Sequence, residues 1–152
     1  MSSKFYQVLL VVISLVLIFY IYQLPTSVIE NKNSKEDVQN LVSVEQALRL
    51  IEGSNPMEGV FMLRDIVENN PQDTEALYYL GVLSNQTGQY QNASERFYQL
   101  IAIDSSDKRA YLQLGISNYN LGKTYIADSL FSIVRDSKDE LLIKELDNFL
   151  TK

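Results

Sequence analysis

Internal repetition constrains this chain more than any other feature. Displaced by 34 residues, the sequence falls on itself: Leu80-Gly81 on Leu114-Gly115, Gly88 on Gly122, Ala93 on Ala127 and Phe97 on Phe131. A period of that length marks a supersecondary unit that cannot bury its apolar face alone, so neighbouring units must stack. Two copies follow without a gap, 74–107 and 108–141. One more step back gives 40–73, with Ala47 at the glycine position, Leu63 at the phenylalanine position and Pro71 closing the unit.

Each unit reads as two amphipathic helices joined by a tight turn. Gly88 and Gly122 fall where the first helix of a unit should end in a left-handed cap. Asn55-Pro56-Met57-Glu58 supplies a capping residue, a first-turn proline and an N3 acid. Small residues at Gly81, Gly115, Ala93 and Ala127 let facing helices approach, and Leu80, Leu114, Phe97 and Phe131 fill the space between them. Ser137-Lys138-Asp139-Glu140 has the capping-box pattern, which predicts a last helix over 138–150. Its Leu142, Leu146, Phe149 and Leu150 form a stripe able to cover the end of the stack.

These residues resemble the tetratricopeptide repeat family, whose unit places a large residue, Leu-Gly, Ala, Phe and finally Pro. The matching residues are Leu77, Leu80, Gly81, Ala93 and Phe97 in one unit, and Tyr111, Leu114, Gly115, Ala127 and Phe131 in the next. The first unit keeps Ala47, Leu63 and Pro71, with Gly59 where alanine is expected, and Ser105 and Asp139 replace the proline elsewhere. The resemblance covers about two thirds of the chain. It implies an all-α fold: a short α-solenoid of three helix-turn-helix repeats followed by a C-terminal capping helix.

The resemblance also implies that the inner face of each first helix lines a groove for a protein partner. Carried over, those positions are Leu41, Val44, Leu48, Ile51 and Glu52, then Glu75, Tyr78, Val82, Asn85 and Gln86, then Arg109, Leu112, Ile116, Tyr119 and Asn120. The expected partner-binding set is Tyr78, Val82, Asn85, Gln86, Arg109, Leu112, Tyr119 and Asn120, with tyrosines as anchors and amides as hydrogen-bonding groups. Some relatives clamp a chaperone's terminal carboxylate with lysines, asparagines and an arginine. The corresponding positions here are Val44, Leu48, Tyr79, Arg109 and Gln113, and Arg109 alone has the chemistry for it.

Ahead of the repeats, Phe5 to Leu24 is a run of twenty uncharged residues, fourteen of them Leu, Ile, Val or Phe. That length spans a hydrocarbon core, and its apolar residues favour insertion by roughly 4–8 kcal/mol. Phe5 and Tyr6 at one end, with Tyr20 and Tyr22 at the other, stand where aromatic belts stand. The segment Tyr22-Gln23-Leu24-Pro25-Thr26-Ser27-Val28 offers no small-x-small cleavage site, so an uncleaved anchor is expected rather than a signal peptide. The organisation expected is a tail at 1–4, a transmembrane helix at 5–24, a linker at 25–33 and a helical domain at 34–152. Lys4 favours a cytoplasmic N-terminus, which puts the repeats in the periplasm if the membrane is a bacterial inner membrane.

Composition narrows the chemistry. Histidine and cysteine are both absent, which removes the commonest general base, the commonest metal ligand and any disulfide framework. No phosphate loop, dinucleotide fingerprint, zinc-protease motif or EF-hand loop occurs, so neither enzyme activity, cofactor nor metal is expected. Acidic pairs such as Asp139-Glu140, or Asp104 near Asp107, fall at expected helix starts, where they complement the helix dipole. The net charge of −6 disfavours nucleic acid. The expected function is a membrane-tethered protein–protein interaction module, an adaptor, scaffold or assembly factor at a membrane complex. The alternative is a small structural subunit held in such a complex through its transmembrane helix.

Overall fold

The computed structural model describes residues 43–151, all of which belong to the compact unit Glu36–Lys152. They form seven helices and no strand. We label them α1 (43–52), α2 (Pro56–Asn69), α3 (Thr74–Gln86), α4 (Tyr90–Ile103), α5 (Lys108–Asn120), α6 (Thr124–Asp136) and α7 (Glu140–Leu150). No helix among the described residues is long and apolar enough to cross a membrane. The candidate anchor at 5–24, the linker at 25–33 and Leu41 lie outside the described residues.

The helices start and stop where local chemistry directs. Asp73 and Asp107 precede α3 and α5, and their carboxylates accept from Ala76 N–H at 2.9 Å and from Arg109 N–H at 2.9 Å. Both helices end in a left-handed glycine, Gly88 and Gly122, each at φ 75°. Gly88 N–H then donates to Asn85 O and Gln89 N–H to Ser84 O, at 3.1 and 2.8 Å, and Gly122 with Lys123 repeats the pattern. These paired bonds satisfy carbonyls that the helix end would leave open. Asn55 departs from the expected cap: its side chain makes no cap bond, and its Nδ2 donates to Glu58 at 3.2 Å. Asp104 ends α4 rather than starting a helix, and its carboxylate accepts from Ser106.

The last helix differs from expectation by its start. Ser137 ends α6, its hydroxyl donating to Val134 O, and Asp139 is the cap of α7, accepting from Leu141 N–H and Leu142 N–H. The helix therefore begins at Glu140 instead of 138. Between them Lys138 sits at φ 59°, the left-handed position that glycine takes after α3 and α5. Counted from the capping aspartates, α5 follows α3 by 34 residues, but α7 follows α5 by 32. In this register Leu146 is the counterpart of Leu80 and Leu114, and like them it is buried.

Three apolar clusters run along the stack. Val44, Ala47, Leu63, Ala76 and Leu80 join α1, α2 and α3; Leu77, Ala93, Phe97, Leu100, Ala110 and Leu114 join α3, α4 and α5; Leu112, Ala127, Phe131, Val134 and Leu146 join α5, α6 and α7. The contact within each hairpin recurs with the sequence period. A Cβ on Gly81 would stand 2.5 Å from Phe97 Cζ, and one on Gly115 would collide with the Phe131 ring. In the first hairpin the sizes change on both sides: Ala47 replaces the glycine, and Leu63 replaces the phenylalanine. Gly59 is small because a Cβ there would meet Ala47 O.

Candidate functional site

The packing leaves a crevice of about 600 Å³ bounded by α3, α5 and α7. Tyr78, Tyr79, Val82, Asn85 and Gln86 line it from α3, Gln113, Ile116 and Asn120 from α5, and Glu145 and Phe149 from α7, with Tyr90 at the start of α4. Its size is that of a site for a few side chains rather than a tunnel. Side chains of one face of a helix recur at three- and four-residue steps, which is why 78, 82, 85 and 86 share this wall.

Five of the eight expected partner-binding residues line the crevice: Tyr78, Val82, Asn85, Gln86 and Asn120. Arg109 stands behind Tyr78, its guanidinium 4.6 Å from the ring centroid. Its Nη2 is 2.7 Å from Glu75 and 2.8 Å from Asp107. Hydrogen bonding to Asp107 raises its pKa first, and Glu75 adds to that effect. Two carboxylates thus offset the charge of this guanidinium. Tyr119 is 46% exposed and packs edge-on against Phe149 at 5.4 Å, beside the lining rather than in it.

Leu112 lies in the core and not in the crevice lining. It is 1% exposed and packs with Ala127, Phe131, Val134 and Leu146. Tyr78 occupies the same register one unit earlier and is only partly buried, at the crevice wall. The inner face expected for the first unit is likewise taken up by packing: Val44 is buried, and Leu48 and Ile51 pack against its cluster.

The amide of Asn85, a residue of the crevice wall, is engaged within the fold. Nδ2 donates to Gln113 O at 3.0 Å and to Gln113 Oε1 at 3.1 Å, while Oδ1 accepts from Ser117 Oγ at 2.8 Å. Gln113 Nε2 then donates to Glu145 Oε1 at 3.0 Å. One chain of polar contacts thus runs Ser117–Asn85–Gln113–Glu145 and ties three helices together across the crevice floor. A satisfied chain of this kind fixes geometry, since breaking one member strands the others. Asn120 donates to Ile116 O at 2.8 Å and, like Gln86, is exposed. Those two amides and Glu145 are exposed polar groups of the lining.

The ring of Tyr78 meets Tyr79 at 5.4 Å and Phe97 at 6.1 Å, both edge-on, so this residue is part anchor of the core and part crevice wall. Burial, with Glu145 second, pushes its hydroxyl up to about 12. Sequence reasoning missed Tyr79, Tyr90, Gln113, Glu145 and Phe149 as site residues. The spacing of Asp73, Asp107 and Asp139 was the signal that could have found the last two, by making α7 a further first-type helix. Among the described residues no group of three His, Cys, Asp or Glu side chains could hold a metal ion.

No protein-family model matches the chain, and no curated protein matches it.

Proposed function

We propose that the chain is a tetratricopeptide-type interaction module, tethered to a membrane by the apolar segment 5–24, which binds a protein segment in the α3–α5–α7 crevice. The observation that carries this reading is the crevice itself: aromatic rings and reachable amides line a cleft crossed by the Asn85–Gln113–Glu145 hydrogen bonds. Aromatic side chains contribute large contact area at low entropic cost, and exposed amides can bond a partner's backbone. Tethering raises the local concentration of the module around partners in the same membrane, so modest contacts suffice. Assembly or scaffolding at a bacterial inner-membrane complex, with the repeats in the periplasm, is the setting that fits this reading.

Support for the repeat assignment comes from the recurrence of two contacts at the sequence period, Gly81 on Phe97 and Gly115 on Phe131, together with paired left-handed caps. The test is to replace Gln86 and Asn120 together with arginine, which changes only exposed groups. Partners that co-purify with the wild-type chain from detergent-solubilised membranes should be lost from the variant. Unchanged co-purification from a correctly folded variant rejects the crevice as the working surface. A complex that survives high salt and the double substitution would instead favour a structural subunit held through the segment 5–24.

A further inference from the structure

The electrostatics of the crevice go beyond its shape. Among the described ionisable groups that line it or stand directly behind it, Arg109 is the one cation, and Glu75 and Asp107 compensate its charge twice over. Glu145 makes no ion pair among the described residues. Its carboxylate is nevertheless aimed, because Gln113 Nε2 holds Oε1 at 3.0 Å from within the polar chain described above. The hydroxyl of Tyr78 feels that charge, which is the second cause of its raised pKa after burial. Around the carboxylate the lining includes Phe149, Tyr79 and Val82, which offer apolar area and aromatic faces.

We infer that the crevice selects a partner segment carrying a lysine or arginine beside an apolar side chain, the cation seated against Glu145 and the apolar group among Val82, Ile116 and Phe149. This inference rests on the partner-binding reading above and specifies the occupant. An oriented carboxylate without a counter-cation, next to aromatic rings, is the arrangement that attracts an organic cation through both its charge and the ring quadrupoles. An acidic segment would meet the uncompensated charge of Glu145, and the chain's overall charge of −6 acts in the same direction. A metal ion is not the expected occupant, since among the described residues Glu145 belongs to no cluster of three ligating side chains.

The test uses the full chain in detergent micelles and a phage-displayed library of random twelve-residue peptides. Wild-type protein should enrich peptides with Lys or Arg adjacent to Leu, Ile, Phe or Val. Glu145→Gln keeps an acceptor for Gln113 and should weaken the selected peptides about five- to tenfold, as expected for losing one charge-assisted contact. Glu145→Lys should redirect the selection toward Asp and Glu, provided circular dichroism shows the helical content unchanged. Enrichment of purely apolar or acidic peptides by the wild type overturns the inference and leaves the crevice as a binding site. An absence of any enrichment that depends on Gln86 and Asn120 overturns both.

Discussion

Phe97 fills the space that a side chain on Gly81 would need: a Cβ there would stand 2.5 Å from Cζ of the ring. Gly115 and Phe131 are related in the same way one unit on. Gly81→Ala and Gly115→Ala should therefore each overpack a hairpin and destabilise it by about 1–3 kcal/mol. Ala47 with Leu63 shows how the same contact is made with the sizes exchanged. Adding Phe97→Leu to Gly81→Ala should accordingly recover part of the loss. Thermal denaturation of the single and double variants checks both statements, and strict additivity would show that the two residues do not share one contact.

Lys138 holds a left-handed backbone, φ 59°, at the point where α3 and α5 are followed by glycine. An L side chain costs roughly 1–2 kcal/mol there, while glycine adds about 0.4–1 kcal/mol of chain entropy to the unfolded state. Lys138→Gly should thus stabilise the protein, by about 0.5–1 kcal/mol net. Denaturant unfolding should show a higher midpoint at unchanged slope.

Asn85 and Asn120 look alike in sequence, but their side chains have different work. Asn85 links α3 to Gln113 and Ser117, and Asn120 donates only to Ile116 O in its own helix. Asn85→Ala should cost about 1–2 kcal/mol by leaving polar partners unmet. Asn120→Ala should stay within about 0.5 kcal/mol of the wild type, as an exposed substitution does. Equal melting temperatures for the two variants would mean that the polar chain across the crevice floor is not structural.

Tyr78 should ionise well above the ordinary tyrosine value. Burial raises its pKa from 10.0 to about 12, so the folded state holds the proton more tightly than the unfolded chain. The associated stability is fully present below pH 10 and is lost as the pH rises toward about 12. A spectrophotometric titration should resolve one late tyrosinate step, absent in Tyr78→Phe.

The hairpins and their caps were legible because they rest on local chemistry repeated at one period. Gly88 and Gly122 terminate helices by backbone geometry alone, and Gly81 and Phe97 are matched in size wherever the stack is viewed. The site was only partly legible, because its members depend on which helix lies opposite. Leu112 and Tyr78 share a register, yet the first packs into the α5–α6–α7 cluster and the second stands at a crevice wall. Glu145 and Phe149 come to the crevice from α7, which begins 32 residues after α5, a spacing which strict repetition does not contain. The fate of the Asn85 amide depended on Gln113, 28 residues away on another helix, where no periodic pattern points.

Partner contact at the α3–α5–α7 crevice is the central claim, and site-specific photo-crosslinking in intact membranes tests it most directly. A photoreactive residue at Gln86 or Asn120, both exposed at the crevice, should capture a discrete protein. The same residue at Ser132, exposed on α6 and outside the lining, should capture none of it. Glu145→Lys should abolish the adduct at Gln86 without changing the yield of folded chain. The account is contradicted if the crevice positions give no adduct while Ser132 does, or if all three positions capture the same protein equally.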